Sequence, residues 1–239
     1  MAERGKRRDP TEQQGPLRQP LLPNGCALLP LRCCLLSGGQ SRRMGRDKAL
    51  LAHPEGGTWL QRTLGLLARL NAPVTLLSGH RQHLEVAQAL GHTALAEPSP
   101  HEGPLLALAR LMQHHPDQRL LLCPVDMPEL TLTALETLLS AAQQDPGAIH
   151  LAHDGQRSQP LLGVYPSTPG LRRSLVSQVS AGERRLQLWL AGQDCRPVVL
   201  DAQALRNINR AEELHSLNPC LISSPSTSWV APWGSCDCH

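Results

Sequence analysis

Three short apolar runs, each closed by Gly or Pro and separated by amphipathic stretches, constrain this chain more than any other feature. Leu31-Arg32-Cys33-Cys34-Leu35-Leu36 ends in Ser37-Gly38-Gly39, residues 73–78 (Pro-Val-Thr-Leu-Leu-Ser) end at Gly79, and residues 119–123 (Arg-Leu-Leu-Leu-Cys) end at Pro124. Runs of this length bounded by turn residues read as buried strands. The segments between them have helical periodicity. Leu60, Leu64, Leu67 and Leu70 share one face over 58–70, and Leu84, Ala87 and Leu90 share one over 82–90. Leu105, Leu108, Ala109 and Met112 do the same after Gly103-Pro104, where the proline suits a first helical turn. A short strand is expected near 93–96, and a helix from Thr131 to about Ala142 with Thr131 or Thr133 as cap. Strands near 147–152, 160–165 and 196–200 and helices near 167–178 and 183–191 complete the pattern. Strands alternating with helices predict the α/β class with a mostly parallel sheet.

At 239 residues the chain has room for one large domain or two small ones. With no Phe and a single tyrosine, Tyr165, the core must be aliphatic. The same scarcity argues against an aromatic platform for single-stranded nucleic acid, and a formal net charge of +3 is too small for a protein that blankets DNA phosphates. No run of about 18 apolar residues reads as a membrane span, and no unbroken apolar stretch near the start reads as a secretory signal. Of the eight cysteines, Cys33 and Cys34 lie side by side in a buried run, as small core residues of a reducing, cytoplasmic protein would. Residues 1–29 read as a flexible tail, 30–217 as one domain, and 218–239 as a Ser/Pro/Cys-rich extension. Cys236-Asp237-Cys238-His239 lacks the spacing of a closed zinc site and would need Cys220 or a partner.

The most informative stretch is Leu36-Ser37-Gly38-Gly39-Gln40-Ser41-Arg42-Arg43-Met44-Gly45-Arg46-Asp47-Lys48, directly after the first strand. In an open parallel sheet, ligands bind beyond the carboxyl ends of strands. Paired glycines let the backbone approach a ligand and turn its N–H groups toward it. Arg42, Arg43, Arg46 and Lys48 against Asp47 leave +3 in this short segment, equal to the net charge of the whole chain. That concentration calls for a polyanion such as a nucleoside triphosphate. Two familiar phosphate loops fail on spacing. Gly45 is followed by Arg46-Asp47 rather than Lys-Ser/Thr, and Gly38-Gly39 does not fit Gly-x-Gly-x-x-Gly. Asp126, between Pro124 and Pro128 past a strand end, is positioned to hold a hard cation such as Mg²⁺. The histidines (His80, His83, His92, His101, His114 and His115 among them) scatter near helix ends and loops, and no His/Ser/Asp or His/Cys arrangement is visible.

This loop closely resembles the signature Leu-x-Gly-Gly-x-Ser-x-Arg-Met-Gly-x-Asp-Lys of the molybdenum cofactor guanylyltransferase (MobA-like) family of nucleotidyltransferases. Further segments match in the same order: Gly103-Pro104-Leu105, Cys123-Pro124-Val125-Asp126-Met127-Pro128, His153-Asp154-Gly155, Gln159-Pro160, Ala181-Gly182-Glu183-Arg184-Arg185, and Asn207-Ile208-Asn209 with Glu213-Leu214. The resemblance spans about residues 31–217. It implies a Rossmann-like three-layer sandwich and transfer of GMP from GTP to Mo-molybdopterin, with pyrophosphate released and Mg²⁺ as cofactor. It assigns Asp126 to the metal and Leu36, Ser37, Gly38 and Gly39 to the nucleotide; by charge, Lys48 is the candidate phosphate anchor and catalytic cation, and Arg42 and Arg43 are candidates for further phosphate contacts. Glu97 aligns with an acidic residue that contacts the nucleotide, usually Asp in the family, although an ordinary surface Glu fits the sequence as well. Asn207 and Asn209 present amides to the pterin. Molybdoenzyme chaperones or a molybdenum insertase are the protein partners implied.

The chain departs from the family in two places. Ser78-Gly79-His80-Arg81 replaces an Asn after the second strand, and Arg210-Ala211 replaces Thr-Pro after the closing motif. A cytidylyltransferase for the same cofactor is the nearest rival, disfavoured because those relatives tend to carry Ala-Gly at Gly38-Gly39. A sugar-phosphate nucleotidyltransferase is a more distant enzyme alternative. A non-catalytic cofactor carrier on the same scaffold is the rival from another class.

Overall fold

The computed structural model describes residues 28–38, 47–54, 56–98 and 102–208. The run Leu31–Leu36 forms strand β1, whose side chains split by parity because successive residues of a strand face opposite ways. Cys33 and Leu35 enter one apolar layer and Cys34 enters the other. A strand covered on both faces has no reason to alternate polar and apolar residues, which is why these runs are continuously apolar.

In chain order the other elements are α1 (Trp59–Ala68), β2 (Val74–Ser78), α2 (Arg81–Ala89), β3 (Thr93–Ala96), α3 (Pro104–His114), β4 (Arg119–Pro124), α4 (Leu132–Gln144), β5 (Ile149–His153), β6 (Ser158–Pro166), α5 (Pro169–Ser180), α6 (Leu186–Leu190) and β7 (Cys195–Val199). Leu60, Leu64 and Leu67 of α1 and Leu135 and Leu138 of α4 pack with Cys33, Leu35, Leu76 and Leu121 on one face of the sheet. Leu105, Leu108 and Leu111 of α3, Leu175 of α5 and Trp189 of α6 pack with Cys34, Leu77, Leu120 and Leu122 on the other. The result is the α/β three-layer sandwich expected of a nucleotidyltransferase fold.

Among the described residues the sheet has seven strands in the order β3-β2-β1-β4-β6-β5-β7. Strands β3, β2, β1 and β4 run parallel, in a register that sets Leu36 beside Leu77 on one side and Pro124 on the other. The order reverses between β1 and β4, so a crevice opens beyond their carboxyl ends. Strand β6 is antiparallel to both β4 and β5. The link between β5 and β6 covers only residues 154–157, far shorter than a parallel crossover requires.

Local chemistry accounts for the helix starts. The Thr58 hydroxyl accepts from the Gln61 amide while the Gln61 side chain accepts from the Thr58 N–H, a reciprocal cap on α1. Thr131 caps α4, and Thr168 with Pro169 in the first turn starts α5 slightly later than the expected 167–178. The helix expected over 183–191 is confined to Leu186–Leu190, because the Glu183 carboxylate accepts from the amides of Arg184 and Arg185 and holds a turn there.

Cys33, Cys34 and Cys123 are buried free thiols, and burial pushes Cys33 up to about 12. They pack as core residues, as their place in the runs implied. Among the described residues no helix is long and apolar enough to cross a membrane. The expected terminal segments, 1–29 and 218–239, lie outside the described residues apart from 28 and 29.

Candidate active site at the carboxyl ends of the strands

Beyond Leu36 the chain leaves the sheet at a point fixed from both sides. The Ser37 amide donates to Leu77 O at 3.1 Å, and the Val125 amide donates to Leu36 O at 3.1 Å. The chain returns at Asp47, whose carboxylate Oδ1 accepts from the Ala49 amide at 3.0 Å and so caps a single 3-10 turn, Lys48–Leu50. That cap aims Lys48 inward. Its Nζ lies 3.3 Å from Asp126 Oδ2 and donates to Ile208 O at 2.9 Å. The Ile208 amide in turn donates to Asp126 O at 3.0 Å, so the segment after β7 closes over the loop that carries Asp126.

Glu97 follows β3, with its amide on Ser78 O at 2.9 Å. Its side chain is 9% exposed and has Oε1 4.0 Å from Arg110 of α3, which also pairs with Glu102. The Glu97 carboxylate lies against Gly38: a Cβ there would fall 2.6 Å from Oε2. Glu97 is therefore a wall of the cleft and not a surface residue, because α3 folds its positive side chain over the end of β3.

Leu36, Ser37, Gly38, Lys48, Glu97 and Asp126 line one cleft of about 280 Å³. A second cleft of about 440 Å³ adjoins it, sharing Pro104, Pro124, Asp126 and Leu161. Arg184, Arg185, Gln159 and Asn207 line this second space. The Asn207 amide donates to Gln159 Oε1 at 3.4 Å, and Gln159 donates to Asp154 Oδ2 at 3.0 Å. Asp154 is held at about 2, chiefly because its carboxylate accepts from the backbone amides of Arg157 and Gln156 at the tip of the β5–β6 turn. Gly103 sits between the two clefts at φ +97, where a Cβ would be strained and would meet Arg184 O at 3.1 Å. One adjoining pair of concave spaces meeting at a carboxylate suits two ligands that react with each other.

Among the described residues no group of three or more His, Cys, Asp and Glu is arranged to hold an ion. Asp126 is a single carboxylate, 27% exposed toward the cleft. Mg²⁺ fits such a site, since it commonly binds through one or two carboxylates and completes its shell with water and substrate phosphates.

Six of the expected nucleotide-site residues thus share one cleft and Asn207 lines its neighbour. Gly39, Arg42 and Asn209 lie outside the described residues, as does Cys236-Asp237-Cys238-His239. No His/Ser/Asp arrangement is visible in the sequence, and the structure brings one together from separate segments. His83, in the first turn of α2, is 1% exposed. Its Nδ1 lies 2.9 Å from Ser37 Oγ and 3.0 Å from Ser78 Oγ, and its Nε2 lies 2.7 Å from Asp47 Oδ2. These residues are 36 and 46 positions from His83 except for Ser78, and parallel pairing of β1 with β2 brings them together. The available signal was a histidine one turn into a helix that follows a strand neighbouring β1.

Residues 33–213 match the MobA-like NTP transferase domain. A probable molybdenum cofactor guanylyltransferase of Rhodopirellula baltica is 34% identical over 194 residues, covering 77% of this chain and 90% of the relative. One bearing the same name in Mycobacterium tuberculosis is 36% identical over 193 residues, covering 79% and 93%. Among solved structures, molybdopterin-guanine dinucleotide biosynthesis protein A of Archaeoglobus fulgidus superimposes with a TM-score of 0.63 at 16% identity, covering 78% of this chain and 96% of its own. At that identity the superposition speaks for the fold, while the domain match and the closer relatives carry the descent: the chain belongs to the MobA-like NTP transferase family.

Proposed function

We propose that residues 30–217 form an enzyme that transfers GMP from GTP to Mo-molybdopterin, giving molybdopterin guanine dinucleotide and pyrophosphate. The observation that carries this reading is the 3.3 Å approach of Lys48 Nζ to Asp126 Oδ2 at the junction of two clefts. A cation and a carboxylate held there are suited to a reaction between two phosphates. The terminal phosphate of the pterin attacks the α-phosphorus of GTP. A P–O bond forms as the bond to the β-phosphate oxygen breaks, and pyrophosphate carries away the electron pair. The attacking group is already an anion, so the chain has no strong base to provide.

Its residues position and neutralise instead. Lys48 exchanges Asp126 for a phosphate oxygen when the triphosphate enters. At about 4 Å, one such charge pair is worth on the order of 4 kcal/mol at an effective dielectric near 20. Asp126 would hold Mg²⁺, whose charge, when bound, offsets the charge developing on the reacting phosphates. Ser37 and Gly38 offer backbone groups to the nucleotide. The Glu97 carboxylate matches the two donors on the Watson–Crick edge of guanine, N1–H and N2–H₂, while cytosine turns only one donor and an acceptor toward it. Arg42 and Gly39, from the same loop, add contacts to the phosphates and nucleotide. Arg184 and Arg185 border the second cleft with Asn207 and favour an anionic pterin there, and Asn209 extends that surface. The buried free thiols suit a cytoplasmic setting, and molybdoenzyme chaperones or an insertase are the fitting protein partners.

The deciding experiment measures pyrophosphate release from GTP and CTP separately, with Mg²⁺ and molybdenum-loaded molybdopterin. Release with GTP alone is expected. Release with CTP alone would overturn the base assignment and keep the chemistry. Nucleotide binding with no release would favour a carrier.

A further inference from the structure

His83 is the buried polar group near the cleft that the transfer reaction does not use. It is 1% exposed, borders the first cleft, and makes three side-chain contacts with residues of three separate segments. Proton accounting fixes the direction at Nε2. An ionised carboxylate only accepts, so His83 Nε2 carries the hydrogen that reaches Asp47 Oδ2 at 2.7 Å. The Ser78 hydroxyl already donates to Ser37 O at 2.6 Å, and its oxygen accepts from the His80 amide at 3.1 Å. Nδ1 faces Ser37 through its hydroxyl at 2.9 Å and its carbonyl oxygen at 3.2 Å, so the ring meets the start of the loop at Ser37.

The consequence reaches Lys48. Asp47 uses its two oxygens for two partners, Oδ2 for His83 and Oδ1 for the Ala49 amide that caps the Lys48–Leu50 turn. The ring therefore joins the start of the glycine-rich loop, at Ser37, to its return, at Asp47. It does so on the first turn of α2, a rigid element seated against β2 and β3. We propose that His83 is a positioning residue of the transfer reaction: through Asp47 it orients the turn that presents Lys48 to the triphosphate. The inference rests on the transfer reading above and adds to it a residue that acts through Asp47 and Lys48.

The test is a double-mutant cycle on pyrophosphate release from GTP, with thermal midpoints recorded for every variant. His83→Ala is expected to lower kcat about tenfold, the scale of one hydrogen bond to a charged group. His83→Gln, which can donate to Asp47 and accept from Ser37, is expected to recover to within about threefold of the parent. In a Lys48→Ala background the same His83→Ala change is expected to shift kcat by less than about twofold, because the group it positions is gone. An equal loss in both backgrounds would mean that His83 only supports the fold, and an unchanged kcat in His83→Ala would mean that it positions nothing. Asp47→Ala serves where His83→Ala does not fold. It removes both oxygens that link the ring to the turn, so it should reproduce the loss and the loss should again vanish without Lys48.

Parent protein that releases no pyrophosphate would overturn the transfer reading itself. The same cycle is then read in the Kd for Mg·GTP by calorimetry, where additive losses overturn the positioning role and non-additive losses support it.

Discussion

Gly38→Ala tests the contact between the glycine loop and Glu97. Gly38 lies outside the left-handed region, so alanine adds no backbone strain. The difficulty is one of space: the new Cβ would fall 2.6 Å from Glu97 Oε2 and 3.4 Å from its Cδ. Carbon and oxygen ordinarily meet no closer than about 3.3–3.6 Å, so the overlap is roughly 0.7–1 Å. The yielding atom is the end of a side chain, and the carboxylate swings aside. In the free variant the loosened approach to Arg110 costs at most about 1 kcal/mol. When guanine draws the carboxylate back against the new Cβ, holding it off its rotamer costs about 0.5–1.5 kcal/mol. That second cost falls on binding, so the KM for GTP should rise about three- to tenfold. The thermal midpoint should fall by no more than about 4 °C, since the strain is relieved in the free protein. CTP, which gains little from the carboxylate, should lose less, so the preference for GTP narrows. Pyrophosphate release as a function of each nucleotide, with a thermal melt, reads all three quantities. An unchanged kcat/KM for GTP with an intact fold would refute the role given to Glu97.

Asp126→Asn should lower kcat by at least about a hundredfold in the pyrophosphate assay while the protein still melts cooperatively, because it removes the carboxylate proposed to hold the metal. Gly163→Ala places a Cβ 2.7 Å from His150 O and 2.9 Å from Leu151 Cδ2. Backbone cannot yield as a side chain does, so a loss of about 1–3 kcal/mol is expected, seen as a midpoint lower by about 3–10 °C. His115 is held down at about 4 from an ordinary 6.5 by burial, then by Arg32 and His114, with its Nε2 3.1 Å from Thr75 Oγ1. Between those values the unfolded chain binds a proton that the folded chain does not. Its contribution is whole above about 6.5 and is lost as pH falls toward 4. Urea midpoints at pH 7 and pH 4.5 should differ more for the parent than for His115→Gln, and equal differences would discount the histidine.

Most of the strands and helices were legible because each is a local matter. A continuous apolar run of five or six residues between turn residues is too short for most helices and suits a two-sided sheet, and Leu spacing of three and four suits one helix face. The loop from Ser37 to Lys48 was legible for the same reason, its glycines and charges being neighbours in the chain. The direction of β6 was not drawn from the run itself. It depends on a link of four residues, 154–157, too short to carry the chain back for a parallel strand.

The site divides along the same line. The sequence by itself determined that Lys48 and Asp126 follow strand ends and that phosphate chemistry belongs near them. Only the tertiary structure decided that the two meet at 3.3 Å where the clefts join, that Glu97 is a wall behind Gly38, and that His83 ties Ser37 to Asp47. The physical reason is the order of the sheet. Parallel pairing lays β2 and β4 on either side of β1, and that adjacency brings together groups separated by tens of residues, whose contacts leave no periodic trace in the chain.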